Sequence, residues 1–307
     1  MRIGTRGSRL ALAQAGFVKK ALAGRYPGVE SEIVPIRTRG DKLQDVALVK
    51  IGGKGVFVKE IEESLAAGEI DMAVHSMKDM PSELPEGLVI GAVPRREDPR
   101  DVLVSRSRKK LEELPKGARI GTGSMRRSMQ LLHLLPDLDV VPLRGNLDTR
   151  LRKIETEDLD GIVVAAAGMR RLGLAGEITQ YISVEWMIPP AGQGALGIEI
   201  RVDDEKTRDR IAFLHHEDTA AEVFAERAFL ARMGGGCQVP MAVHARKQGD
   251  RLVLLGLLGS VDGRVVITES DRGDYRQGPE MGRDLAEKIL SRGGQGILDM
   301  FYRGRGT

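Results

Sequence analysis

The feature that most constrains this chain is a change of hydrophobic period along its length. Over the first 200 or so residues, short apolar runs of strand length alternate with segments whose apolar residues recur every three or four positions. That alternation predicts βα units built on open sheets. Strands are expected at 2–5, 31–37 and 69–75, with helices at 10–23 and 56–67. A break at PRREDP (94–99) precedes a second round: strands at 101–105, 119–121, 138–142 and 161–165, and helices near 124–134, 146–154 and 167–172. A second break, IPPAGQGALG (188–197), leads into a strand at 196–202 and helices at 206–214 and 219–233. Beyond 234–237 the period becomes two, at 239–246, 251–259 and 264–269, before a closing helix at 281–290 and a frayed RGRGT tail. The fold class expected is α/β: two α/β domains with a ligand between them, and a small α+β domain at the C-terminus.

Composition narrows the function classes. Forty-seven Lys and Arg oppose forty-four Asp and Glu, a net charge of +3, and the chain has one Trp, four Tyr and six Phe. Neither a dense basic patch nor a set of stacking aromatics is present, so a nucleic-acid surface is not expected. No apolar run approaches the 18 or so residues that cross a bilayer, and the N-terminal segment lacks the apolar core of a signal peptide. A soluble, cytoplasmic protein is expected. The single cysteine excludes an intrachain disulfide and any multi-cysteine metal site. His133, His215, His216 and His244 show no ligand spacing, so no metal is expected.

The polar residues that stand out follow strands. Gly121-Thr122-Gly123-Ser124-Met125-Arg126-Arg127 places glycines, hydroxyls and two arginines where a helix begins. It is either an ordinary N-cap with solvated arginines or an anion receptor, and capping alone does not call for the arginine pair. Thr5-Arg6-Gly7-Ser8, and Arg144 with Arg150, repeat the idea at other strand ends, the edge where open sheets bind ligands. The implied ligand carries several carboxylates or phosphates. Gly52-Gly53-Lys54-Gly55 is not a nucleotide loop, because the spacing is wrong and Val56 stands where a hydroxyl is needed. Residues 39–55 read as a mobile loop over a site. Lys78-Asp79 is either a surface ion pair in a turn or an acid–base group beside a cation. His75 ends an apolar alternation and reads as structural. Cys237 follows three glycines, which a buried core thiol does not need but a thiol bearing a bulky attachment does.

Taken together these segments resemble one family. ERAFLARMGGGCQVP (226–240) resembles the cofactor-attachment segment of the porphobilinogen deaminase, or hydroxymethylbilane synthase, family. GGKGVFVKE (52–60), VHSMKD (74–79), REDPRD (96–101) and PAGQG (190–194) are similar to that family as well, and agreement weakens beyond Pro240.

The resemblance implies two lobes like those of periplasmic solute-binding proteins, joined by a double crossover, plus the small C-terminal domain. Its boundaries would be 1–95 with 195–216 for the first lobe, 96–194 for the second, and 217–307 for the domain carrying the cysteine. It implies a dipyrromethane cofactor held by a thioether to Cys237. The implied reaction is that of a transferase: four porphobilinogens condense head to tail with loss of four ammonias, and hydrolysis releases the linear tetrapyrrole hydroxymethylbilane. Asp79 matches the catalytic aspartate, stabilising the azafulvene and pyrrolic cations. Arg6, Ser8, Lys78, Ser124, Arg126, Arg127, Arg144, Arg150 and Arg171 match residues that hold cofactor or substrate carboxylates. Gln14 and Gln193 match further cleft positions, and Lys50, Lys54 and Phe57 match the mobile loop. Gly7 departs from the family pattern, replacing a larger polar residue without removing charge. A monomer is implied, with uroporphyrinogen III synthase taking the product. The rival class is a binding protein for a polycarboxylate, which needs neither a modified Cys237 nor Asp79.

Overall fold

Each apolar stripe seen in the sequence finds a sheet face. The computed structural model describes residues 1–38, 58–234 and 239–303. The chain divides into two compact units, Met1–Glu97 with Gly194–Ala220, and Asp98–Gln193 with Ala221–Thr307. Segments 39–57, 235–238 and 304–307 lie outside the described residues.

The first unit is built on a five-stranded sheet containing β1 (Arg2–Arg6), β2 (Glu32–Ile36), β3 (Met72–Ser76), β4 (Leu88–Ala92) and β10 (Leu196–Arg201), in the order β2-β1-β3-β10-β4. Helix α1 (Arg9–Arg25) is capped by the Ser8 side chain, which accepts from the Ala11 N–H. Its stripe Ala11, Ala15, Val18 and Leu22 is buried, and it packs on one face of the sheet with Ile3, Met72 and Val74. On the other face α2 (Lys59–Ala66) places Ile61 and Leu65 against Ile70, Ala73 and Leu88. Helix α6 (Glu205–Ile211) adds Ile211 to the first face.

Two features depart from the sequence reading. The strand Leu88–Ala92 is not among those expected from the sequence, its short apolar run lying among prolines and glycines. The sheet is also mixed rather than parallel. β1 runs parallel to β2 and β3, whereas β10 is antiparallel to β3 and β4. Strand direction depends on where a distant segment re-enters the sheet, which local periodicity does not encode.

The second unit holds two sheets. The first contains β5 (Asp101–Ser105), β6 (Arg119–Thr122), β7 (Asp139–Pro142), β8 (Gly161–Ala165) and β9 (Gln180–Tyr181), ordered β7-β6-β8-β5-β9. It is mixed too: β6 is parallel to β7 and β8, and β5 is antiparallel to β8 and β9. Its helices are α3 (Met125–Leu134), α4 (Leu147–Thr156) and α5 (Ala166–Arg171).

The second sheet is an antiparallel meander of β11 (Met241–Gln248), β12 (Arg251–Gly259) and β13 (Val266–Asp274). Helices α7 (Glu217–Arg232) and α8 (Gly278–Ile289) cover one face, with Phe229, Leu285 and Ile289 packed on Leu252, Leu254 and Leu258. A Cβ at Gly256 would come within 3.0 Å of Leu285 and 3.1 Å of Phe229, so the glycine lets these helices seat closely. The other face packs Ala242 and Leu257 on Met129 of α3 and Ile188. A final helix, α9 (Gln295–Arg303), extends beyond the closing helix expected from sequence.

Candidate functional site

In the first unit, β1 and β3 are parallel neighbours, so their C-terminal ends emerge at the same edge. β1 delivers Arg6 and the cap Ser8 there, while β3 runs into a 3₁₀ turn at Met77–Asp79. Thr5 Oγ1 donates to the Val74 carbonyl at 3.1 Å and fixes the two ends together. Arg6, Ser8, Gln14, Lys78 and Asp79 line one pocket, as five of the residues singled out in the sequence. Among the described residues lining it, Asp79 is the one carboxylate. The first turn of α1 carries no acidic side chain, and its N-terminus adds positive potential to Arg6 and Lys78. The pocket is thus electropositive around a single acid, a setting for binding carboxylates while stabilising a transient cation at one point.

In the second unit the same design recurs at the ends of β6, β7 and β8. Ser124 caps α3 and accepts from the Arg127 N–H, and Asn146 caps α4 and accepts from Thr149. Arg144 follows β7, Arg150 lies on α4 with its Nε donating to the Gly145 carbonyl at 2.8 Å, and Arg171 ends α5. Gly145 has φ +110, and a Cβ there would lie 2.7 Å from Thr149 Cγ2, so that turn requires glycine.

Arg126 and Arg127 turn inward rather than into solvent and are 5% exposed. Both bind Asp101, which is fully buried at the start of β5. Asp101 Oδ2 accepts from Arg126 Nη2 at 2.8 Å. Its Oδ1 accepts from Arg127 Nε at 3.0 Å and Nη2 at 2.7 Å, and from Gln193 Nε2 at 2.9 Å. Gln193 Nε2 also donates to the Pro99 carbonyl at 2.8 Å, and Arg126 Nη1 to the Ile188 carbonyl at 2.7 Å. Burial raises the Asp101 pKa, but the two guanidiniums overcome it and hold the carboxyl well below the usual range. Burial likewise pushes Arg126 down to about 10, so it stays charged at neutral pH. Two guanidiniums facing one carboxylate leave one net positive charge, which suits an incoming carboxylate.

Sequence reasoning gave no role to Asp101, Glu199, Glu62 or Glu226. The available signal was an acid inside an apolar run: DVLV for Asp101, LGIEI for Glu199 and an apolar helix face for Glu226. Glu226 is fully buried and accepts from the Gly192 N–H at 2.6 Å and the Ala245 N–H at 2.8 Å. It therefore ties α7 to both the 190–194 segment and β11. His75, expected to be structural, is buried with Nε2 3.0 Å from Glu199 Oε2. Cys237, Lys50, Lys54 and Phe57 lie outside the described residues. Among the described residues, no group of three or more His, Cys, Asp or Glu is arranged to hold a metal ion. No described helix is long and apolar enough to cross a membrane.

Residues 1–209 match the family described as "Porphobilinogen deaminase, dipyromethane cofactor binding domain", and residues 220–291 match its C-terminal domain. The chain belongs to the porphobilinogen deaminase family. Relatives in this family include the porphobilinogen deaminase of Syntrophus aciditrophicus, 54% identical over 99% of this chain and 100% of its own length. That of Syntrophotalea carbinolica is 55% identical over 97% of this chain and 95% of its own. A solved ancestral cationic amino acid solute binding protein aligns at 17% identity with a TM-score of 0.43, covering 70% of this chain and 87% of its own. The family's cofactor is dipyrromethane, and the domain described as binding it spans the Asp79 pocket and the Asp101 cluster alike.

Proposed function

We propose that this chain is a hydroxymethylbilane synthase. It condenses four porphobilinogen molecules head to tail on a dipyrromethane primer, with loss of four ammonias, and hydrolysis then releases hydroxymethylbilane. The observation that carries this reading is Asp79: a single carboxylate in a pocket that Arg6, Lys78, Ser8 and Gln14 also line, in a chain of this family.

The donor set fits the group. Each pyrrole ring bears an acetate and a propionate, and the strand ends offer guanidiniums, an ammonium, capping hydroxyls and helix N-termini, which are carboxylate partners. Ser124, Arg126 and Arg127 would hold the cofactor's carboxylates, with Arg6, Ser8, Lys78, Arg144, Arg150 and Arg171 serving cofactor or substrate. When bound, dipyrromethane supplies a nucleophilic ring carbon on which the chain can grow. Asp79 acts on the incoming porphobilinogen: it accepts the pyrrole N–H, stabilises the positive charge that develops as the amine departs, and takes up a proton. Asp101 acts through Arg126 and Arg127, fixing their orientation.

In this reading the thiol of Cys237 forms a thioether to the primer and does no turnover chemistry. Tethering replaces a bimolecular encounter with a local one. Residues 217–307 form the domain that carries it, and Lys50, Lys54 and Phe57 serve the same site. The enzyme is a cytoplasmic monomer whose product passes to uroporphyrinogen III synthase. Intact and peptide mass spectrometry of protein made in a porphobilinogen-supplying cell tests the reading. Dipyrromethane is expected on the Cys237 peptide and no adduct in Cys237→Ser. An unmodified cysteine in fully active protein rules out the attachment, and an unmodified protein that binds polycarboxylates without turnover rules out the enzyme.

A further inference from the structure

Three ionisable side chains of the first unit have no part in the roles above, and they interact with one another in its interior. His75 lies near the end of β3, Glu199 in the middle of β10 and Glu62 on α2. Gly197 stands opposite His75 in the antiparallel pair, and Glu199 opposite Ala73. Glu199 is thus the diagonal neighbour of His75 on the face that α2 covers. The His75 and Glu199 side chains are 3% and 0% exposed, and Glu62 is 8% exposed. Glu62 Oε1 and Glu199 Oε1 are buried with no hydrogen-bond partner among the described residues.

Two buried carboxylates and one imidazole cannot all be ionised without leaving an uncompensated negative charge. Glu62 is the group that yields. Burial first, then the charge of Glu199, push its carboxyl up to about 7; Glu63 adds to the effect and His75 opposes it. The other charged groups around α2 are Lys59 and Glu60 on the helix, Glu83 across its outer opening, Arg201, which donates to the Leu65 carbonyl, and Arg2, paired with Asp71. The row opens at both ends. His75 lines the Asp79 pocket, and Glu62 lines a second cavity of about 380 Å³ with Lys59 and residues 81–85. At about 30 Å³ per water, that cavity has room for several.

We propose that His75, Glu199 and Glu62 form a proton-conducting row that carries the proton released at the Asp79 pocket to this second opening. The inference rests on the condensation reading above. In each round the aminomethyl group of porphobilinogen enters as an ammonium and leaves as ammonia with the C–N electron pair. A C–C bond forms, and one ring C–H bond breaks, its electron pair restoring the aromatic ring. One proton is left over, with Asp79 its first acceptor. It passes to the His75 ring, from Nε2 to Glu199, and on to Glu62, which releases it to water. Asp79 is then a carboxylate again when the next ammonium arrives.

The test uses full-length holoenzyme, wild type against Glu62→Gln, with Glu199→Gln as a second variant. Infrared difference titration is expected to show a carboxylic-acid carbonyl band that disappears with a midpoint near 7 and is missing in Glu62→Gln. kcat for wild type is expected to rise with pH through the same midpoint. Glu62→Gln should lower kcat about tenfold, less than removing a directly acting acid or base. It should also abolish that limb, leave KM and dipyrromethane occupancy unchanged, and regain rate with added imidazole buffer. Active variants with a wild-type pH profile, or no titrating band in wild type, overturn the proposal. A wild type that consumes no porphobilinogen sinks the functional reading instead, and the infrared titration still decides whether the row holds a proton.

Discussion

Asp101→Asn is the perturbation whose cost the structure lets one work out. The substitution keeps the size of the side chain and removes its charge, so Arg126 and Arg127 become two buried like charges that lose their carboxylate partner among the described residues. Asp101 is fully buried and receives four hydrogen bonds from Arg126, Arg127 and Gln193. Breaking a buried pair of this kind costs about 3–5 kcal/mol, chiefly for the charge left unpaired. At about 2–4 °C per kcal/mol for a unit of this size, the transition of the second unit should fall by about 6–20 °C. Scanning calorimetry of the full chain reads this directly, and the double variant Asp101→Asn/Arg126→Met, which removes the excess charge, should recover part of the loss. The pH dependence has a definite sign. The folded carboxyl titrates below its unfolded value of about 3.9, so its contribution is present above that pH and lost as pH falls through the folded value. The difference between wild type and Asp101→Asn should therefore be flat from about pH 5 to 8 and shrink only in strong acid. A transition within 2 °C of wild type at pH 7 would refute the assignment of this cluster as the brace of the second unit.

Asp79→Asn should keep the fold and KM while lowering kcat about 10²-fold or more, and near-normal turnover would place the chemistry elsewhere. Leu in place of Arg126 or Arg127 should reduce dipyrromethane occupancy, whereas Leu in place of Arg144 or Arg150 should leave the primer and slow elongation. Native mass spectrometry before and after limiting porphobilinogen separates the two, and a wild-type ladder in all four makes these arginines irrelevant to binding. Glu62 titrates near 7 when folded against about 4.3 unfolded, so its contribution is full below the lower value and lost as pH rises through 7. Glu62→Gln should accordingly raise the melting temperature of the first unit near pH 8 and change it little near pH 5. Equal shifts at both pH values would show that Glu62 ionises normally.

Much of this was legible without a structure because it is local. The stripe Ala11, Ala15, Val18 and Leu22 needs only helical spacing to declare α1, and Ser8 and Ser124 announce their helix starts by residue type alone. Arg6, Ser8, Lys78 and Asp79 of the first unit were readable as a group because they sit at or just after strand ends, and parallel neighbours bring those ends to one edge. Leu88–Ala92 escaped because an apolar run of five between prolines carries no period of its own, and becomes a strand only through pairing with β10.

The sequence by itself determined most of the helices and strands, though not Leu88–Ala92 or Gln295–Arg303, and that arginines and one aspartate crowd the strand ends. Only the tertiary structure decided that β5 and β10 run against their neighbours, that Arg126 and Arg127 turn inward onto Asp101, and that Glu199 and Glu62 share the interior with His75. The reason is physical. Periodicity and capping act over a few residues, whereas the state of a charge depends on desolvation and on partners 25 to more than 100 positions away.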